Sequence, residues 1–139
     1  MENCVIITGG AGFIGSNLVK RLLSMGFSTI IIDNFSTGKK ENLAEVESNK
    51  FCYIYDFDIT DGFNEFLTEL CNKHCNINGV FHLAAQVSVQ KSMENPKLDA
   101  IQNFYPVYDL IKFLSSNFNI NFLSFASSAA DLPGLNRSS

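Results

Sequence analysis

Two groups of residues in this chain have the types and spacing that could do chemistry. The first is Tyr108-x-x-x-Lys112. On a helix, positions four apart share a face, so the ammonium could favour a phenolate poised to take a proton. The second is Gly9-Gly-Ala-Gly12-Phe-Ile-Gly15, which follows the apolar run Val5–Ile7 and opens a helical pattern. Gly9 would let the chain turn off a strand, Gly12 would let backbone approach a pyrophosphate, and Gly15 would allow close helix–strand packing. The helix start would turn free N–H groups and a positive dipole end toward the phosphates. Asp33 lies 18 positions after Gly15, at the end of the apolar run Thr29–Ile32. Its carboxylate could accept from both adenosine ribose hydroxyls and would repel a 2′-phosphate, which favours NAD over NADP. Lys39 and Lys40 leave NADP open.

These residues need a scaffold, and the patterning supplies one. Val5–Ile7, Thr29–Ile32, Phe51–Tyr55, Val80–Leu83 and Ile120–Phe125 read as strands. Helical patterns lie between them. One has Ile14, Leu18 and Leu22 on a face and ends at Gly26; a short one reaches about Val46. Others run from about Thr60 to Lys73, with Phe63, Phe66, Leu67 and Leu70 aligned, and from Pro96 to Ser115. Near-continuous apolar strands alternating with helices predict a parallel sheet covered on both faces. The expected architecture is a single α/β domain over residues 1–139, a Rossmann-like doubly wound sheet of about five strands in the order 3-2-1-4-5.

Composition narrows the partners. With 46% hydrophobic and 17% charged residues, the 139-residue chain can build a core. A net charge of −4 without a basic stripe argues against nucleic acid. No basic n-region precedes an apolar stretch and no apolar run is long enough to span a bilayer, so no membrane partner and a cytoplasmic location are expected. Cys4, Cys52, Cys71 and Cys75 read as reduced thiols. The group Cys71-Asn-Lys-His74-Cys75 lacks a second ligand cluster, so no metal is expected.

The stretches TGGAGFIGS, DNFSTGKKENL, FDITD and VFHLAAQVSVQKS, in this order, resemble the NAD-dependent epimerase/dehydratase family, the extended short-chain dehydrogenases, and most of all its UDP-glucose 4-epimerases. The resemblance covers nearly the whole chain, which corresponds to well under half of a family member. It implies that Gly9, Gly12, Phe13, Ile14 and Gly15 hold the pyrophosphate of NAD. By the same resemblance Asp33 binds the ribose with Asn34 and Ser36 nearby, and Asp58 and Ile59 hold the adenine edge. Leu83, Ala84 and Ala85 would line the cofactor, and Asn103 would match the start of the next family motif. Ser128, preceded by Ser127, would hydrogen-bond the reacting hydroxyl of a nucleotide-sugar substrate. The implied reaction removes the proton of the sugar 4-hydroxyl while hydride passes to bound NAD, then returns the hydride to the other face of the keto sugar.

Departures from the family pattern carry their own expectations. Phe57 stands where glycine is usual before the adenine-binding Asp. The family's Asn-x-x-Gly-Thr reads Asn103-Phe-Tyr-Pro-Val, placing Pro106 inside a helical pattern at a typical cost of about 3 kcal/mol. After FASSAA, three residues of the pattern are missing. The family's Tyr-x-x-x-Lys follows the serine motif, whereas Tyr108 and Lys112 precede it, on a helix whose Val107, Leu110, Ile111 and Leu114 suit packing. The pair is therefore read as part of a packing helix, and this chain alone as inactive. His82 reads as a satisfied, partly buried histidine; Ser88, Ser92 and Met93 are equally substrate-facing or solvated. The alternatives are a nucleotide-sugar dehydratase or decarboxylase of the same family, or a non-catalytic nucleotide-binding module. An apolar edge at Ile120–Phe125 and a free face on the 96–115 helix predict self-association, as a homodimer or otherwise.

Overall fold

Cys4–Thr8, the first strand (β1), is buried along its whole length. Cys4 and Ile6 enter one apolar cluster, while Val5 and Ile7 enter another. Side chains alternate across a strand, so a run that is apolar at every position must lie mid-sheet with both faces covered. The computed structural model, which describes residues 3–74, 76–84, 94–117 and 120–125, puts it there. β2 (Ser28–Asp33), β3 (Cys52–Asp56), β4 (Ile77–His82) and β5 (Phe122–Phe125) complete a parallel sheet in the order β3-β2-β1-β4-β5.

Helix α1 (Phe13–Ser24) and a 3-10 turn (Lys40–Leu43) cover one face, burying Val19, Leu22 and Leu43 with Ile31. Helices α2 (Phe63–Lys73) and α3 (Pro96–Ser115) cover the other, burying Phe63, Leu67, Leu70, Leu110 and Phe113 against Ile6, Ile30 and Val80. α1 stops where expected, with Gly26 just past its end at φ +90°. α3 starts on Asn95, whose Oδ1 accepts from the Leu98 N–H at 3.1 Å, and runs on through a buried Pro106.

Several expectations shift. β4 begins three residues before the expected Val80. The Asn-Ile-Asn-Gly stretch looks like a turn, but Cys4 pairs with Ile77 and Val5 with Gly79, so a bulge at Asn78 lets the strand pair to its start. β5 begins at Phe122, two residues later than expected, and its ring covers Gly79, where an added Cβ would sit 2.2 Å from it. Ile14 is not a core residue; it and Phe13 are exposed beside the glycine turn. Ile111 also faces solvent, while Val107 and Leu114 are half-buried and Leu110 fully buried.

At their carboxyl ends β1 and β4 are tied by side chains. Thr8 Oγ1 lies 2.8 Å from His82 Nδ1 and accepts from the N–H groups of Leu83 (3.0 Å) and Ala84 (3.1 Å). Burial pulls the His82 pKa down to about 4.

Two predictions follow from this packing. Leu67 is wholly buried, so Leu67→Ala should lower unfolding free energy by about 2–5 kcal/mol in urea titrations. His82 stays neutral in the fold, whereas the unfolded chain takes up its proton near pH 6.5. Between those values the unfolded state binds more protons, so this contribution is full above pH 6.5 and declines toward pH 4. It amounts to roughly 3 kcal/mol at most. Urea titrations from pH 4.5 to 7.5 should show that decline, and His82→Asn should flatten it.

Candidate cofactor site

The chain leaves β1 into α1 on one face of the sheet, and α3, which follows β4 in the chain, packs on the other. Where neighbouring strands part in this way, a crevice opens at their carboxyl ends. Gly9, Gly12, Gly15 and Asp33 all lie at that crevice, on the β1 and β2 side.

Each glycine of the turn meets a different constraint. Gly9 has φ +72°, and a Cβ there would lie 2.8 Å from the Ala84 nitrogen, so the turn packs directly on the chain leaving β4. A Cβ on Gly15 would lie 2.3 Å from the Gly9 carbonyl oxygen; α1 could not approach the turn with any side chain there. Gly12 differs. A Cβ there would meet only the Gly9 oxygen, at 3.5 Å, so the protein itself leaves this face open. The first N–H groups of α1 have no side-chain cap, and its first turn holds no acidic residue. Such an end suits an anion.

Asp33 is buried at the end of β2. Its Oδ2 accepts from the Ala11 N–H at 3.0 Å and its Oδ1 from the Phe35 N–H at 2.8 Å, so one carboxylate joins the glycine turn to the loop after β2. A carboxylate has about four acceptor sites, which leaves capacity for further donors. Phe35 turns the loop at φ +60°. Asn34 donates to Asp58, and its own oxygen accepts from the Ser36 N–H at 3.0 Å. Asp58 Oδ1 also accepts from the Thr60 N–H (2.9 Å) and hydroxyl (2.7 Å). These bonds, that from the Thr60 backbone foremost, hold the Asp58 carboxyl below the usual carboxylate range. Asn34, Ser36 and Asp58 thus form one connected polar group, which begins at the residue after Asp33.

The remaining expected residues are dispersed. Ile59 packs against the α2 face and Leu83 against the α1 face. The Leu83 and Ala84 backbone is held by Thr8. Asn103 is half-buried on α3. Ala85, Ser88, Ser92, Met93, Ser127 and Ser128 lie outside the described residues. Tyr108 is 54% exposed on α3, whose sheet-facing residues are Leu110 and Phe113, and Lys112 is exposed too. Phe57 has a visible reason for replacing glycine: its ring stacks on Phe66 at 3.9 Å, filling space between the β3 exit and α2. His82 is buried and satisfied by Thr8.

Three residues of the site lie inside the family motifs, with no role assigned to them there. Thr8 closes β1. Asn42 Nδ2 donates to the Ala11 carbonyl at 2.8 Å, beside the Lys39 N–H at 3.1 Å, so Ala11 is gripped at both its amide and its carbonyl. Gly38 lets the loop close on Asp33, since a Cβ there would lie 2.9 Å from Oδ2. Elsewhere, His74 Nε2 lies 2.9 Å from the Tyr55 hydroxyl, and Cys52 and Cys71 are free thiols. Among the described residues no group of three or more His, Cys, Asp or Glu side chains could hold a metal ion, and no helix is long and apolar enough to cross a membrane.

Comparison with known proteins agrees with this geometry. A family model described as GDP-mannose 4,6 dehydratase matches residues 6–131. A UDP-glucose 4-epimerase of Mycolicibacterium smegmatis is 43% identical over 103 residues, covering 70% of this chain and 30% of that protein. A UDP-glucuronic acid decarboxylase of Arabidopsis thaliana is 37% identical over 92 residues, covering 66% of this chain and 19% of its own length. The crystal structure of Thermus thermophilus UDP-glucose 4-epimerase complexed with NAD superposes with a TM-score of 0.75 at 34% identity, over 90% of this chain and 37% of that one. The chain thus spans well under half the length of the proteins it matches. With a family model covering most of its residues and the same doubly wound sheet, the chain belongs to the NAD-dependent epimerase/dehydratase family.

Proposed function

We propose that residues 1–139 form the NAD-binding part of a nucleotide-sugar epimerase acting on a UDP-hexose. The observation that carries this reading is the buried Asp33 carboxylate, joined to the glycine turn through Ala11 and beside the open face of Gly12. Gly9 and Gly15 close the turn tightly, Gly12 leaves room for a pyrophosphate, and Asp33 would present its remaining acceptor capacity to ribose hydroxyls while repelling a 2′-phosphate. Phe13, Ile14, Asn34, Ser36, Asp58 and Ile59 would complete the adenosine and pyrophosphate side. Leu83, Ala84 and Ala85 would line the other half, with Asn103 behind them and Ser128 meeting the sugar hydroxyl. When bound, NAD would supply a reversible hydride acceptor. The similarity to the epimerase of M. smegmatis and to the NAD complex of T. thermophilus supports this choice, and the similarity to the Arabidopsis decarboxylase supports decarboxylation of a nucleotide sugar as the second reading. The free thiols of Cys52 and Cys71 support a reducing, cytoplasmic setting.

The same reading extends to the partner and to the chemistry of the chain alone. Phe104, Tyr105, Tyr108 and Ile111 are each more than half exposed on α3, and a stripe this apolar suits packing against a second copy of the chain. Tyr108 is the one tyrosine with a lysine four residues on, and it sits on this stripe rather than at the crevice, so the chain by itself is proposed to be inactive.

Calorimetry should show NAD bound more tightly than NADP. Asp33→Asn should weaken NAD roughly ten- to hundredfold, the loss of one or two charge-assisted hydrogen bonds; equal affinity for NADP in the parent protein would count against the reading. Gly12→Ala should keep unfolding free energy within about 1 kcal/mol yet abolish NAD binding, whereas Gly15→Ala should destabilise the fold itself. Sedimentation velocity should show association that Tyr108→Glu reverses. A coupled assay should detect no epimerisation of UDP-glucose, and turnover abolished by Tyr108→Phe would overturn the packing assignment.

A further inference from the structure

The Thr8 hydroxyl has one proton and two lone pairs. Both lone pairs are occupied by N–H donors, from Leu83 at 3.0 Å and Ala84 at 3.1 Å. Its proton must therefore point elsewhere, and His82 Nδ1 stands 2.8 Å away, on the residue directly opposite Thr8 in the β1–β4 pairing. That assignment makes Nδ1 an acceptor and places the ring proton on Nε2. The imidazole is buried, with its ring edge-on to Phe125 at 5.9 Å, so it has little freedom to rotate away. The Leu83 N–H is shared with the Thr8 carbonyl at 3.1 Å, whereas the Ala84 N–H, among the described residues, meets the hydroxyl alone. The Ala84 backbone is also the wall on which Gly9 packs. A Thr8 hydroxyl that lost its acceptor would keep a buried proton unsatisfied, and rotating to find another acceptor would give up its bonds to these amides and release that wall.

We infer that His82 is a positioning residue for the half of the dinucleotide beyond the glycine turn: as acceptor of the Thr8 proton, it holds the Leu83–Ala84 backbone at the crevice wall. The inference rests on the NAD reading above and adds to it a residue that touches no ligand. Asp33 and the adenosine end lie on the β2 side of the turn, whereas Leu83 and Ala84 lie on the β4 side, so the two halves of the ligand can be tested apart.

The full chain is titrated with NAD and, separately, with ADP, which lacks the second nucleoside. The parent protein should bind both, NAD more tightly. His82→Leu and Thr8→Val should weaken NAD at least tenfold while changing ADP by less than twofold. His82→Asn, which keeps an oxygen acceptor, and Thr8→Ser, which keeps the hydroxyl, should restore NAD to within threefold of the parent. Unchanged NAD affinity in His82→Leu, or equal losses for NAD and ADP, would overturn the inference and leave the NAD reading standing. A parent protein that binds neither ligand would instead overturn the NAD reading and, with it, the role given to His82. Should the apolar variants fail to fold, nitrogen-15 NMR of the parent ring decides: a proton on Nε2 is expected, and a proton on Nδ1 would refute the arrangement.

Discussion

The site depends on a close approach of backbone to backbone. At the start of α1, the Gly15 position comes so near the Gly9 carbonyl that a side chain would overlap it, and Gly9 in turn sits against the peptide joining Leu83 and Ala84. The glycine turn, the start of α1 and the chain leaving β4 are therefore packed at these points through main chain. Contacts of this kind have no side-chain slack, so the turn has one shape, and the helix end it carries has one direction. Whatever meets the open face of Gly12 meets a rigid surface.

Two polar networks brace that turn from either side. On the β2 side, the Asp33 carboxylate and the Asn42 amide hold Ala11 by its N–H and its carbonyl. On the β4 side, the Thr8 hydroxyl collects the amides that follow the strand and is hydrogen-bonded to the His82 ring. Both networks are buried or half-buried, where a missing partner is costly, so each specifies its geometry more sharply than the apolar clusters beneath it. The apolar clusters supply the bulk stabilisation and the platform; the networks decide where the loop ends sit.

The outer elements are built to different rules. α2 is firmly seated, with Phe63, Leu67 and Leu70 buried and Phe66 stacked on Phe57. α3 buries Leu110 and Phe113 on one side and leaves aromatic residues on the other. β5 is short, pairs among the described residues with β4 alone and exposes Phe122 and Phe125. The core of the fold is thus built around β1, while exposed large apolar side chains gather on α3 and β5 and, beside the glycine turn, at Phe13 and Ile14. A helix amphipathic in the ordinary sense has one apolar face; α3 has two, one against the core and one at the surface.

Element order, the parallel sheet, the glycine turn and the acid after β2 were all legible in the sequence, because each is written locally. Apolar residues at every position of Val5–Ile7 and Thr29–Ile32 mark strands covered on both faces, and a glycine spaced three residues from the last can mark only a backbone constraint. The exposure of Ile14 was not legible, since helical periodicity counts apolar residues without knowing that the first turn hangs over a crevice. Nor was the early start of β4: a bulge at Asn78 exists only once Cys4 offers a pairing partner. Least legible were Thr8 with His82, 74 positions apart, and Asn42 with Ala11, 31 apart. A hydroxyl or an amide has no periodicity, and its partner is chosen by strand register and loop closure. The elements and their chemistry are properties of neighbouring residues, whereas the connections that hold the site in shape come into being only when the sheet brings distant residues together.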